Sequence, residues 1–478
     1  MKKYRKIGKK ATVAMKRDLT HFLIDWLNSS SRKPIVIRGA RQVGKTWLIR
    51  NLAQSTQKQL IELNFEKRPD LESLFSSNEP EEIIANIAAS LGKTIKRSNS
   101  ILFLDEIQAA PQLLAKLRWF AEEMPQLPVV AAGSLLDFAL ADHEFSMPVG
   151  RIGYMYLEPL SFEEFLEAAE YPELKTYLKT YPLHKEIPIA IHKQLITIMK
   201  EYLIIGGMPA AVSSWVRRKN LEHVNQIHFD LLATYREDFS KYRGRLNIDR
   251  LEDILTAIPR QLGKKFVYSH ANPEVNTPSL RMALDLLGKA RVCHRVFATS
   301  ANGLPLNAER KDKFFKAILL DCGLVSAELG LSLHQLSSIS ELTLINSGGL
   351  AEQLVGQQLR TLFAPFVPPS LNYWQRTKTG ANAEVDYVIQ HKNQIVPVEV
   401  KAGRTGTLKS LHQFMESKGR NLAVRINSDY PRFDLIQVKT TTASAVEYSL
   451  LSIPFYLVGQ LHRLLSEVYE DELGVHES

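Results

Sequence analysis

Two sets of residues in this chain have types and spacings that could do chemistry. The first is Gly39-Ala40-Arg41-Gln42-Val43-Gly44-Lys45-Thr46. Its two glycines let successive backbone N–H groups converge on one anion, its lysine can reach outer phosphates and its threonine hydroxyl can ligate magnesium. The partner is Asp105-Glu106, closing the apolar run 101–104. There Asp105 would hold Mg2+ together with Thr46, usually through water, and Glu106 would polarise an attacking water. The pair predicts ATP bound by Gly39, Ala40, Arg41, Gln42, Val43, Gly44, Lys45, Thr46 and Asp105, with Lys45 and Glu106 as catalytic groups; binding without turnover would use the same cradle. Ser134, ending the apolar stretch 128–134, has two readings, a sensor of the γ-phosphate or attacking water and a helix N-cap for 135–140. Arg151, heading an alternating strand over 152–157, reads either as an arginine finger, in cis or across a subunit boundary, or as a surface arginine at a strand start.

The second set is acidic. Asp386 lies in the alternating stretch 383–389, Glu399 and Lys401 in 395–401, and Glu352 in a helical pattern over 349–363. Asp386 and Glu399 could share a divalent cation, Glu352 could complete the ligand set, and Lys401 could position a hydroxide. Carboxylates converging without a cation would repel, so their joint placement asks for one. The alternative is a solvated edge with a salt bridge.

These residues need elements to position them. A strand over 35–37 enters the glycine loop and a helix leaves it. Strands at 59–65, 101–104 and 128–134, with helices at 80–91 and 113–120, give the βαβ order of an open parallel sheet, whose ligands sit beyond the carboxyl ends of the strands. A helix over 18–28 leads in. Tyr171-Pro172, Tyr181-Pro182 and Ile187-Pro188 mark a seam before helices at 192–203 and 224–239, the latter followed by Lys241, Arg243 and Arg245. Gly206-Gly207-Met208-Pro209 makes a turn between them. Helices at 251–262 and 277–287, with Thr277 as cap and Pro278 first in the helix, precede strands at 292–298 and 314–320, a helix-turn-helix with a wing. Ser279 and Arg281 could enter a major groove; protein contact is equally open, and no aromatic or strongly basic stripe in the sequence argues for DNA. Period-two geometry makes 383–389 and 395–401 a hairpin with Glu399 and Lys401 on one face, backed by a helix at 408–414, with a further strand near 451–457.

The 478 residues, 45% of them apolar, predict two to four globular domains. No apolar run of about 20 residues suggests a membrane span, and two cysteines, Cys293 and Cys322, fit a cytoplasmic location. The formal charge is +9, but residues 1–17 carry eight cations and no acid. That arm reads as a phosphate- or anion-binding extension, as a disordered, solvated tail, or as non-native residues if translation starts at Met15.

Arg38-Gly39-Ala40-Arg41-Gln42-Val43-Gly44-Lys45-Thr46, Leu104-Asp105-Glu106-Ile107-Gln108, Ala132-Gly133-Ser134 and Leu157-Glu158-Pro159-Leu160-Ser161-Phe162-Glu163-Glu164-Phe165 together carry a family resemblance. The chain resembles the prokaryotic AAA-type ATPases that carry a C-terminal DUF4143 region. The resemblance implies an α/β protein with a P-loop NTPase parallel-sheet core, a winged-helix element and a C-terminal fold similar to PD-(D/E)XK nucleases. The expected organisation is a basic extension (1–17), ATPase core (18–170), helical connector (171–250), winged-helix-like module (251–335) and nuclease-like domain (336–478). The implied partners are ATP, double-stranded DNA and further copies of the chain, a ring being suggested by the AAA resemblance with Arg151 as its trans residue. The C-terminal site is either a magnesium-dependent nuclease or a fold that has become structural.

Overall fold

The computed structural model describes residues 15–134, 136, 150–238, 248–331, 348–376, 383–403, 407–440 and 445–473. Residues 1–14 of the basic arm, all but one residue of the expected helix 135–140, and Lys241, Arg243 and Arg245 lie outside these.

Five parallel strands, β1 (Ile35–Arg38), β2 (Gln59–Asn64), β3 (Ser100–Asp105), β4 (Val129–Gly133) and β5 (Gly153–Tyr156), form one sheet in the order β2-β3-β4-β1-β5. β3 and β4 are buried at every position, which is what near-continuous apolar sequence is for when helices cover both faces. The covering helices include α1 (Leu19–Asn28), α2 (Lys45–Ser55), α3 (Pro80–Leu91) and α4 (Leu113–Glu123). Because β4 is inserted between β1 and β3, Arg38 lies beside Gly133 and Asp105 beside Ala132. Gly39–Thr46, Asp105-Glu106 and Ser134 therefore leave the same edge of the sheet. This α/β arrangement with a parallel core is that of the P-loop NTPases.

A helical stretch follows: α5 (Phe162–Ala168), α6 (Pro172–Thr180), α7 (Ile189–Ile205), α8 (Pro209–Arg218), α9 (Leu221–Asp238), α10 (Ile248–Arg260) and α11 (Thr277–Lys289). α5 begins with a capping box, Ser161 accepting from Glu164 N at 3.1 Å and Glu164 Oε2 accepting from Ser161 N at 3.0 Å. At α11 the cap is Asn276, whose Oδ1 accepts from Ser279 N at 3.0 Å, not the expected Thr277; Thr277 and Pro278 occupy the first turn.

The hairpin β6 (Cys293–Thr299) and β7 (Arg310–Leu319), read from sequence as the wing of a separate module, is built into the C-terminal sheet instead. After α12 (Cys322–Glu328) and α13 (Gly348–Thr361) come β8 (Leu371–Gln375), β9 (Glu384–His391), β10 (Gln394–Val400), α14 (Lys409–Lys418), β11 (Leu422–Asn427), β12 (Arg432–Lys439), β13 (Ala445–Pro454) and α15 (Leu461–Leu473). The eight strands run β12-β13-β11-β10-β9-β8-β6-β7, with β6 parallel to β8 through Val296 opposite Leu371. Strand-to-strand hydrogen bonding thus crosses the expected 335/336 boundary. β11 and β12 went unanticipated; β12 is an edge strand whose alternate side chains face solvent.

Helix α13 is buried on all sides from Gly349 to Arg360, yet five of these twelve residues are polar or charged. Its glutamines satisfy neighbouring backbone and side-chain groups, two of them sharing the Tyr202 hydroxyl. Gln353 brackets Leu319 N and O at 2.9 Å each, Gln357 accepts from Cys322 N at 2.7 Å and donates to Asp321 and Tyr202, and Gln358 accepts from Phe162 N at 3.1 Å. A buried amide with all its partners adds specificity that an apolar helix would lack, since each mispairing would strand a desolvated group. Among the described residues no helix is long and apolar enough to cross a membrane.

Candidate functional site

The glycine loop is a left-handed turn closed over a lysine. Gly44 has φ 98°, a conformation that side chains resist, and Gln42 also has positive φ, at 64°. At Gly39 an added Cβ would lie 2.5 Å from Leu157 O, so the loop can press against the segment after β5 only with hydrogen there. Lys45 Nζ donates to Gly39 O at 3.0 Å and Ala40 O at 2.9 Å. Burial lowers its pKa to about 8 against the opposing pull of Glu106 and Asp105. A desolvated ammonium held only by carbonyls and nearby carboxylates is poised to gain from an anion.

Thr46 Oγ1 stands 3.2 Å from both Asp105 oxygens. Asn64 Nδ2 donates to Asp105 Oδ2 at 3.1 Å. Burial and the neighbouring Glu106 charge raise the Asp105 pKa, so the carboxylate too favours an added cation. A hydroxyl beside a hydrogen-bonded carboxylate at a loop edge is a hard-oxygen donor set that fits hydrated magnesium, and the loop fits the triphosphate the ion would accompany. Glu106 is at φ 52°, strained for a non-glycine residue, and its Oε2 accepts from Gln108 Nε2 at 2.6 Å. Ser134 is buried at the carboxyl end of β4, between the two loops. A largely apolar cavity of about 210 Å³ adjoins Gly44, lined by Met15, Trp47, Leu160 and Pro209 with Arg217 at its side.

Other side chains of the loop are engaged elsewhere. The Arg41 side chain is ion-paired with Asp238 at the end of α9, and Tyr235 of that helix donates to Arg41 O at 3.0 Å. Val43 O accepts from Arg17 Nη1 at 2.9 Å. Arg17 belongs to no solvated tail. Buried, it also donates to Glu158 O at 2.6 Å and Glu164 Oε1 at 3.1 Å, while Met15 packs into the core. The sequence reading, which placed 15–17 in a basic arm, missed this. Arg151 is at the other end of the sheet. It precedes Gly153, which pairs with Ile35 at the start of β1, and donates to Glu122 Oε1 at 2.6 Å. A cis finger is therefore ruled out by direction: the loop leaves the opposite end of β1.

Glu158 ties together segments far apart in the sequence. Arg360 donates to it at 2.8 and 3.1 Å and Arg291 at 3.2 Å, joining the segment after β5 to α13 and to the turn before β6. Burial pushes its pKa up, but Arg360, His294 and Arg291 outweigh that and hold it at about 2.

The C-terminal acidic residues do converge, around a residue no motif indicated. Lys316 Nζ, from β7, lies 2.8 Å from Glu352 Oε2, 2.6 Å from Glu384 Oε1 and 3.6 Å from Asp386 Oδ1. Asp386 Oδ2 accepts from Val400 N at 2.8 Å, and Lys401 Nζ donates to Glu399 Oε1 at 2.6 Å. The cation these carboxylates demand is thus an ammonium of the chain itself. Burial raises Glu352 to about 8 and Glu399 to about 7, with Asp386 adding to both. The expected magnesium set of Glu352, Asp386 and Glu399 does not fit: Lys316 stands among the oxygens a metal would need, and among the described residues no three His, Cys, Asp or Glu side chains are arranged to hold one.

Three family models match the chain: an AAA domain over 31–166, a domain of unknown function (DUF8612) over 196–335, and a domain of unknown function (DUF4143) over 347–445. No curated protein matches it. Similar solved structures include the Walker-type ATPase PABY2304 of Pyrococcus abyssi, at 16% identity over 66% of this chain and 96% of that one with a TM-score of 0.43. The Aeropyrum pernix ORC2 protein matches at 13% identity over 67% and 93%, TM-score 0.33. The Thermotoga maritima RuvB Holliday junction branch migration motor matches at 14% identity over 59% and 90%, TM-score 0.29. The loop at 39–46, its lysine and the carboxylates at the end of β3 lie inside the first matched segment, so this chain is one that carries an AAA-type P-loop ATPase domain and, beyond a DUF8612 segment, a C-terminal DUF4143 domain.

Proposed function

We propose that the protein binds ATP with Mg2+ and hydrolyses it, and that the nucleotide controls a DNA-associated C-terminal half. One observation carries the first part: Lys45, Thr46, Asp105 and Glu106, from two segments about 60 residues apart, meet at one sheet edge with Thr46 Oγ1 3.2 Å from both oxygens of Asp105. In this reading the loop amides and Lys45 hold the phosphates, and Thr46 and Asp105 hold the metal, whose charge offsets that developing on the transferred phosphoryl group. Glu106, oriented by Gln108, accepts the proton of the attacking water. Ser134, buried between the loops, senses the phosphate end, and the cavity beside Gly44 takes the base. Arg151 keeps only a trans role, in an oligomer.

For the C-terminal half, the ammonium among the carboxylates favours the reading in which a nuclease-like fold serves as structure and partner surface, without metal-dependent cleavage. The α10–α11–β6–β7 segment is then a winged-helix-like unit merged with that fold, a proposal supported by its helix, helix, hairpin order.

Phosphate release by the full chain with Mg2+ tests the ATPase reading. Wild type is expected to turn over ATP, Lys45→Ala to lose binding, and Glu106→Gln to bind but fall at least about 100-fold in kcat, the usual contribution of a positioned base. Lys45-independent turnover, or none in wild type with or without DNA, overturns it.

A further inference from the structure

A cleft of about 750 Å³ opens between the N-terminal half of α11 and the β6–β7 hairpin. Five cations line it: Lys265, Arg281, Arg295, Arg310 and Lys313. Two carboxylates oppose them, Asp285 paired with Arg295 and Asp312 accepting from Arg310 at 2.7 Å. The excess of positive charge is assembled from four separate stretches of chain, which is why no stripe is visible along the sequence.

The cations are braced from below. Arg310 lies over the Phe297 ring at 4.2 Å, Arg295 over Phe315 at 5.0 Å and Lys265 over Phe314 at 4.2 Å. Phe315 in turn stacks on Phe266 at 5.9 Å. A guanidinium resting on an aromatic face keeps its N–H edges available while losing rotamer freedom, which lowers the entropy cost of meeting an anion. The hairpin itself is shaped for this. Phe315 pairs with Phe297 but the next pair is Lys311 with Ala298, so Asp312, Lys313 and Phe314 bulge from the ladder and stand exposed at the rim.

We propose that this cleft holds the phosphate backbone of duplex DNA, with Arg281, Arg310 and Lys313 on the phosphates. The proposal rests on the DNA association put forward above and gives it a location. A trench of this size, with Arg281, Arg310 and Lys313 exposed along it, exceeds what one phosphate group fills. Phe266 and Phe315 are buried beneath the cations, and the exposed Phe314 carries Lys265 over its ring, so these rings do not form the row of open faces on which unpaired bases would stack in a single-strand platform. A helix whose first turns are exposed, set beside a basic hairpin, instead matches the way helix-plus-wing units straddle a duplex.

The test is fluorescence anisotropy of a labelled duplex of about 20 base pairs with the full chain, titrated from about 50 to 200 mM salt. Three phosphate contacts give a log–log salt slope of about −2.7, so wild-type affinity should fall roughly 40-fold over that range. The triple variant Arg281→Ala, Arg310→Ala, Lys313→Ala should lose about tenfold or more at the low end and most of the slope. The lysine replacements Arg281→Lys and Arg310→Lys should recover much of both. All three side chains are exposed, so an unchanged thermal midpoint certifies that the variant is folded. Equal binding by wild type and triple variant would remove the cleft as the site while leaving DNA association intact. Binding of neither duplex nor single strand by wild type would remove both, with ATP turnover judged separately by phosphate release. Preference for single strands or an acidic peptide would overturn the duplex assignment.

Discussion

Replacing Lys316 by methionine, close in shape but uncharged, isolates what that ammonium does. Its side chain is 3% exposed and touches Glu352, Glu384 and Asp386, from α13 and β9, while Lys316 itself is on β7. The three elements are therefore joined by one charge. Removing one partner of a buried ion pair usually costs about 3–5 kcal/mol, because the other partner stays desolvated and uncompensated. For a unit of about 150–250 residues each kcal/mol lowers the midpoint by about 2–4 °C, so the C-terminal transition should drop by about 6–20 °C. Differential scanning calorimetry of the full chain reads this, with the ATPase transition as internal reference. Two companions sharpen it. Lys316→Met with Glu352→Gln should recover part of the loss, since the amide needs no counterion. Millimolar Mn2+ should raise the midpoint of Lys316→Met but leave wild type unmoved, because only the variant leaves the oxygens for a metal. A fall below about 2 °C would refute the claim that Lys316 holds the cluster together. Saturable Mn2+ stabilisation of wild type that disappears in Asp386→Ala would refute the claim that the ammonium stands in place of a metal.

Two other expectations follow from the geometry. Burial sets Lys45 at about 8, and only the protonated form attracts phosphate, so ATP affinity should be level below that value and weaken as pH rises through it; isothermal titration from pH 7 to 9 at constant ionic strength checks the sign. Arg360→Ala leaves Glu158 enclosed without its principal partner and should cost about 3–5 kcal/mol, read as a lowered urea midpoint, and Arg360→Lys should restore less than half because it cannot repeat the two-pronged contact.

How much of this was legible beforehand depended on distance along the chain. The glycine loop, the apolar strand ending in Asp105-Glu106 and the 384–400 hairpin could be read because each is a short, continuous stretch, where backbone geometry alone sets which side chains share a face. What could not be read were the groups that complete them. Gln108 and Asn64 carry no periodic signal; they matter because one orients Glu106 and the other Asp105. Arg17, counted with a basic tail, is folded under the loop. The direction of β5 decided that Arg151 faces away from its own cradle.

The amino-acid order by itself pointed to a phosphate cradle and to acidic residues gathered near the end of the chain, because both are written in local pattern and in the demand of like charges for a counterion. It could not say which counterion. Lys316 is 36 residues from Glu352 and on a strand that looked like part of another module, and only the pairing of β6 with β8 carries β7, and its ammonium, into the acidic cluster. The pairing of β6 with β7, beside α11, likewise gathers Arg281, Arg310 and Lys313 around one cleft. Burial and electrostatics act through space, so the choice between a metal site and an internal ion pair belonged to the tertiary structure.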